Sequence, residues 1–430
     1  MSVMPDVGYI ELSVVIPVHN AAAFIRPCLD SVLSQEVNLE IICVDDCSSD
    51  DSYEICREYS QRHRNITVLQ NEKQLFAGGS RNRGIEVARG EYIAFLDADD
   101  MVNPGMYRRF CDLARETRAD ILRGTATAFD HATGEKITGL YYEQKGRGGD
   151  LETQTMPFAE CFKSAVELAP VPWIGICRLS LVKAYNIRFN DFPCCEDVGF
   201  FYDLISHGDA IRFVREPIVN HRRGAPESLL GQTARCYEYV LKTVVYVQEH
   251  SRSFPSEVRC EIMRPVLRAL PQWMRKTLDC GIAFDAVREK FDFYISQLDI
   301  SIWGISFFAM PWVHRLVEMF GIENFLGDRV SRQDAEFVMQ QSRGAAAGVI
   351  AKAALATAKA ELKKTRQALK IAERECCNLR HSAAYRAGMA VTWPARKALG
   401  GIRCLREKGV KYTIGHAVGK VLFWKGGRQK

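Results

Sequence analysis

Tyr92-Ile93-Ala94-Phe95-Leu96-Asp97-Ala98-Asp99-Asp100 is an apolar run that stops at three carboxylates. Its branched and aromatic residues favour a strand, and the acids crowded at its end form an anionic cluster that attracts a cation. Carboxylate oxygens are hard ligands suited to Mg²⁺ or Mn²⁺, and Mg²⁺ in particular shares its site with the phosphates of a bound ligand. Taken alone, the stretch leaves a second reading open: a strand that leaves its sheet through a solvated acidic turn.

The residues before it extend the pattern. Leu12-Ser13-Val14-Val15-Ile16-Pro17 reads as a buried parallel strand. Phe24, Ile25, Cys28, Leu29, Val32 and Leu33 then recur at helical spacing, and Leu39-Glu40-Ile41-Ile42-Cys43-Val44 is a second strand running into Asp45-Asp46. Ser48, Ser49 and Asp50 are expected to cap the next helix, Ile66-Thr67-Val68-Leu69 to form a third strand, and residues 80–88 a third helix. Alternation of this kind implies a doubly wound α/β sheet, in which ligands bind outside the carboxyl ends of the strands. Pro17-Val18-His19, Asp45-Asp46 and Asp97-Ala98-Asp99 all fall at such ends.

Three ordered blocks, VVIPVHN from Val14, IICVDDCSSDDS from Ile41 and FAGGSRNRGIEVARGEYIAFLDADD from Phe76, together resemble the nucleotide-binding half of the family-two inverting glycosyltransferases. The resemblance resumes with Trp173, Asn186-Ile187-Arg188-Phe189 and Glu196-Asp197-Val198-Gly199-Phe200, which are similar to the acceptor half of that family. It covers about the first half of the chain and implies the GT-A nucleotide-sugar fold. This is a doubly wound mixed sheet, with a nucleotide-binding half in residues 1–105, an acceptor half in residues 106–230 and a helical C-terminal region after it.

Carried over position by position, the resemblance implies that Pro17 and His19 line the base pocket and that Asp46 contacts the nucleoside, with Asp45 as its support or as a capping residue. Asp97 and Asp99 match the D-x-D element, where Asp99 would ligate Mn²⁺ or Mg²⁺ and Asp97 would face the ribose or the metal's water. Asp100 is expected to cap the turn toward Asn103-Pro104. Inverting transfer is a single displacement that needs a base on the acceptor side, and Asp197 is that candidate, with Glu196 supporting it. The plainer reading has both acids capping a helix over residues 198–205. His221-Arg222-Arg223 resembles a basic segment that folds over the diphosphate, where arginine's planar fork suits phosphate oxygens. The family often has an aromatic residue where His221 stands, which leaves stacking, metal ligation and packing all open for it. Gly78-Gly79-Ser80-Arg81 is expected to open a helix with free amides, making Gly78 and Arg81 further donor contacts. The implied partners are a nucleotide-diphosphate sugar, UDP-linked in most of the family, and a glycan or lipid-linked acceptor.

Composition narrows the class. The chain has 430 residues and a net charge of +5. No stretch is long and apolar enough to span a bilayer, residues 300–313 being interrupted by Pro311. The N-terminus lacks the pattern of a secretory leader, so a cytoplasmic protein with reduced cysteines is expected, none of the fifteen falling in a C-x-x-C pair. A glycine-rich, basic loop after the first strand would indicate a nucleotidyltransferase and G-x-G-x-x-G a dinucleotide enzyme; Pro17-Val18-His19-Asn20 stands there instead. A non-catalytic member that keeps the fold is the remaining rival.

Beyond the acceptor half, residues 231–340 read as a helical accessory region. Residues 341–384 carry a heptad pattern through Leu355, Leu362, Leu369 and Cys376. The helix over residues 344–380 would either join copies into a homo-oligomer or pack on its own chain. Residues 385–430 are basic and amphipathic, with Glu407 as the single acid. Such a tail suits an anionic membrane surface, at about 1 kcal/mol per basic residue near it. Because the resemblance points to enzymes with lipid-linked acceptors, the membrane, on the cytoplasmic face, is expected rather than nucleic acid; a solvated tail on a packed helix is the plain alternative.

Overall fold

The computed structural model describes residues 9–143, 149–224 and 233–299, together with Arg315, Leu316 and Met319. All of them lie in one compact unit, Met1–Ala345. The segments 344–380 and 385–430, with their heptad and tail expectations, lie outside the described residues.

Four parallel strands form the first half: β1 (Leu12–Val18), β2 (Leu39–Asp45), β3 (Ile66–Gln70) and β4 (Tyr92–Phe95), with β1 between β2 and β4. Val15 lies opposite Ile42 on one side and Phe95 on the other. Helices α1 (Ile25–Leu33), α2 (Ser52–Arg62) and α3 (Phe76–Val87) make the crossovers. Covered on both faces, β1 and β2 can be apolar almost throughout, which is why they stand out in the sequence. Alternate residues then serve two cores. Val15, Ile42, Val44, Ile93 and Phe95 belong to one, while Val14, Ile16, Ile41, Cys43 and Ala94 belong to the other.

The second half contributes β5 (Met101–Val102), α4 (Met106–Thr117), β6 (Ile121–Asp130), β7 (Lys136–Ile137), α5 (Phe158–Ala165), β8 (Gly175–Arg178), α6 (Leu179–Ala184), α7 (Glu196–Ser206) and β9 (Ile211–Arg223). β8 enters antiparallel between β4 and β6, β9 runs parallel to β6, and β5 closes the order β3-β2-β1-β4-β8-β6-β9-β5. The short β5 directly follows the acidic strand end and pairs antiparallel with β9, Met101 opposite Asn220. That pairing brings His221 and Arg222 beside Asp99 and Asp100. Three further helices, α8 (Thr233–His250), α9 (Ser256–Asp279) and α10 (Phe284–Ile295), pack their apolar residues into the same core as α3, α5 and α7.

Two local expectations are corrected. α3 begins at Phe76 rather than at residue 80, so Gly78 and Gly79 sit inside its first turn and the Gly79 amide already bonds the Leu75 carbonyl. Ser48 and Ser49 do not cap α2. Ser48 Oγ receives the Asn20 amide, and Ser49 donates to the Asn20 side chain. Asp50 takes the Ser52 amide and hydroxyl. Among the described residues no helix is long and apolar enough to cross a membrane, and twelve cysteines are free thiols.

Candidate active site

The carboxyl ends of β1, β2 and β4 bring together Pro17, His19, Asp46, Asp97 and Asp99. His19 is exposed, and its Nδ1 bonds the Asp46 carbonyl at 2.7 Å. Asp46 is 2% exposed, and its Oδ1 accepts from Asn71 Nδ2 (2.6 Å) and the Leu75 amide (2.7 Å). One of its oxygens is therefore spent on shaping the loop into α3, while Oδ2 accepts no hydrogen bond among the described residues. Asp45 is wholly buried beneath it, holding Gln70 and the Ser48 amide through one oxygen.

The three acids after β4 take different partners. Asp97 Oδ1 accepts from Arg81 Nη2 at 2.6 Å. Asp100, fully buried, accepts from the Arg222 amide (2.8 Å) and from His221 Nδ1 (2.9 and 3.0 Å). The expectation that Asp100 caps the following turn is thereby corrected: its carboxylate is the anchor for β9. Asp99 receives no side-chain hydrogen bond from another described residue. Burial, with the charges of Asp100 and Asp97, pushes its carboxyl up to about 7.

His221 stacks on Trp173 with centroids 4.9 Å apart and meets the edge of Tyr142 at 5.5 Å. Burial pulls its imidazole pKa down, but the hydrogen bond to Asp100 together with the charges of Asp100, Asp97 and Asp99 outweighs this and raises it. Arg222 donates from Nε to the Asp99 carbonyl, and its guanidinium lies over the rings of Phe24 and Phe129 at 5.0 and 4.7 Å. It is held rigidly at the acidic cluster, with Nη2 unbonded among the described residues.

On the acceptor side, Glu196 and Asp197 form the first turn of α7, after Cys195 in the left-handed region at φ 61°. They follow the N-cap position rather than occupying it. Glu196 is 8% exposed and accepts from Arg81 Nη1 at 2.7 Å. Asp197 is half-buried and accepts no hydrogen bond from another described residue; burial and the Glu196 charge push its carboxyl up to about 7. Gly78 and Arg81, expected at the donor, are both buried. Gly78 packs against the Asn190 carbonyl and Glu196, and Arg81 spans Asp97 and Glu196.

Asp97, Asp99 and His221 do not close into a ready metal shell; among the described residues no three His, Cys, Asp or Glu side chains do. Asp97 is turned toward Arg81 and His221 Nδ1 toward Asp100. The donor set nevertheless fits a divalent cation. Asp99 is a desolvated carboxylate among like charges that makes no ion pair among the described residues, and among them the second oxygen of Asp97 is also uncommitted. The pairings of Asp100 with His221 and of Arg81 with two acids escaped the sequence reading. An acid one residue beyond D-x-D was the only local signal for the first.

A mixed sheet of this order, with nucleotide-side acids at parallel strand ends and a Glu-Asp pair opening a facing helix, defines the GT-A class of nucleotide-sugar fold. Residues 13–166 match the model of glycosyl transferase family 2. It is 36% identical over 183 residues to the uncharacterized glycosyltransferase YibD of Escherichia coli K12, covering 42% of this chain and 52% of that protein. It is 38% identical over 187 residues to the poly(ribitol-phosphate) beta-glucosyltransferase of Bacillus spizizenii, covering 42% and 27%. The chain thus spans about half or less of the length of these relatives. In fold it is similar to S. aureus TarS 1–349 in complex with UDP, with a TM-score of 0.55 and 18% identity over 77% of this chain and 92% of that one.

Proposed function

We propose that the protein is a metal-dependent inverting glycosyltransferase that moves a sugar from a UDP-sugar to a hydroxyl of a glycan or lipid-linked acceptor in surface-polysaccharide synthesis. The observation that carries this reading is a division of labour among the acids. Asp46, Asp97, Asp100 and Glu196 each accept from named donors, whereas Asp99 and Asp197 stand without one among the described residues. Partly buried acids left unsatisfied at strand and helix ends are poised for a ligand. Asp99, with Asp97, would hold Mn²⁺ or Mg²⁺, which when bound neutralises charge on the donor diphosphate. Arg222 would bond a phosphate oxygen through Nη2, and Asp46 Oδ2 with His19 and Pro17 would orient the nucleoside. Asp197, with a pKa of about 7, suits a base that takes the acceptor hydroxyl's proton near neutral pH. The UDP complex of TarS and the polymeric acceptor named for the Bacillus spizizenii relative support the donor and acceptor classes.

Thermal unfolding with UDP, with and without Mn²⁺, tests the donor site without knowledge of the sugar. Ligand at a hundred times its Kd adds about 2.7 kcal/mol, a shift of a few degrees. The expected result is a Mn²⁺-dependent shift that Asp99→Asn loses. No shift with UDP, GDP or CDP would make the protein a non-catalytic member of the fold. Residues 385–430 are proposed to hold the protein on anionic membrane; their removal should release it from phosphatidylserine vesicles, and unchanged co-sedimentation would refute this.

A further inference from the structure

We propose that Arg81 is a positioning residue that fixes the candidate base relative to the donor-side carboxylates, and this rests on the transferase reading above. Arg81 lies in α3, and its side chain is 4% exposed, with its fork turned to two acids rather than to solvent. Its fork is spent in two directions. Nη2 reaches Asp97 Oδ1 at 2.6 Å, and Nη1 reaches Glu196 Oε1 at 2.7 Å. One acid ends a strand of the nucleotide half, and the other immediately precedes Asp197 on α7. The distance from the D-x-D element to the candidate base is therefore spanned by one planar, permanently charged group.

The surroundings enforce that span. Phe189 lies under the guanidinium at 5.2 Å, stacks on Phe200 of α7 at 4.0 Å and meets Phe95 of β4 edge-on at 5.1 Å. The same ring block thus touches both elements that the arginine joins. Gly78, one turn earlier on α3, lets the helix approach: a Cβ there would stand 2.5 Å from the Asn190 carbonyl and 3.0 Å from Glu196 Cγ. Lysine, whose three donors sit on one nitrogen, lacks the planar fork that holds the two acids apart in one plane. Asp97 also gains directionality, because with Oδ1 taken it offers a ligand only its other oxygen.

The test compares wild type, Arg81→Lys and Arg81→Gly. UDP binding with Mn²⁺ is followed by calorimetry, and turnover by UDP released from UDP-glucose and UDP-N-acetylglucosamine. Binding stoichiometry counts folded protein and removes simple misfolding from the comparison. Arg81→Lys should lower kcat a hundredfold or more, with the donor KM and the UDP Kd within threefold of wild type. In Arg81→Gly, millimolar guanidinium should restore kcat at least tenfold. A kcat in Arg81→Lys within threefold of wild type overturns the proposal. So does a raised donor KM at unchanged kcat, which would make Arg81 a donor contact, or a loss of kcat matched by an equal loss of binding sites, which would make it structural only. A wild type that neither binds UDP with Mn²⁺ nor releases it overturns the UDP-sugar transferase reading and this one with it, whereas an active wild type beside a fully active Arg81→Lys overturns only this one.

Discussion

Asp197 enters α7 beside an acid already bound to Arg81, and this asymmetry gives the two neighbours different chemistry. Glu196 is satisfied, while Asp197 is not among the described residues, and burial followed by the Glu196 charge lifts the Asp197 carboxyl from 3.8 to about 7. A base must be unprotonated, so kcat/KM should rise about tenfold per pH unit below that value and level off above it. A pH–rate profile checks this, and a flat profile between pH 5 and 8 would remove Asp197 as the base. Stability runs the other way. A carboxyl whose folded pKa is raised contributes stability that is fully present below its unfolded value and lost as pH rises through about 7. Asp197→Asn should therefore abolish transfer, leave UDP binding near wild type, and unfold at a higher temperature than wild type at pH 8 but not at pH 4. The site acids themselves were legible in the sequence, because apolar runs ending in carboxylates mark strand ends. Their partners were not. Arg81 meets an acid 115 positions away, and Asp100 meets His221 121 positions away. Such contacts follow from the α3–α7 approach and the β5–β9 pairing, which no local pattern encodes.

At the level of elements, the four parallel strands could be read from the chain because burial on both faces makes them nearly continuous apolar runs. The start of α3 could not, since Gly78-Gly79 has the composition of a loop and its reason for being helical is tertiary. Gly78→Ala, which would favour a helix in isolation, should here be destabilising. Its methyl meets backbone at 2.5 Å, and overpacking of this kind costs about 1–3 kcal/mol. Because the neighbour pushed away includes Glu196, turnover should fall beyond what stability explains; denaturant melts and kcat measured together check both. The end of α4 offers the opposite case. Arg118 is exposed and sits in the left-handed region at φ 54° as the C-cap, a place where glycine pays no Cβ penalty. Arg118→Gly should stabilise the protein by about 0.5–1 kcal/mol without touching activity, seen as a raised midpoint of urea unfolding.

Across the whole molecule, the accessory helices raise the question of whether the sheet could stand without them. The core answers it. Val15, Ile42 and Val44 of the nucleotide half share one apolar cluster with Phe200 and Phe201 of α7, Leu241 and Val244 of α8, Met263 and Leu267 of α9, and Phe291 of α10. Gly199 of α7 lies so close to Tyr246 of α8 that a Cβ would stand 2.4 Å from the ring, and Thr243 bonds the Cys195 carbonyl at the entry to α7. The helix bearing Glu196 and Asp197 is thus clamped between the sheet and α8, which the accessory helices' amphipathic texture could not reveal. A cluster that joins the sheet to α7 and to α8–α10 should make them unfold as one cooperative unit. Leu241 is wholly buried, and Leu241→Ala should cost about 2–5 kcal/mol. The same loss should appear in far-ultraviolet circular dichroism and in a UDP-binding readout, because Ile42 and Val44 of β2, the strand that leads to Asp46, belong to the same core as Leu241. Two separated transitions, with UDP binding surviving the first, would mean that α8–α10 form an independent layer rather than part of the transferase domain.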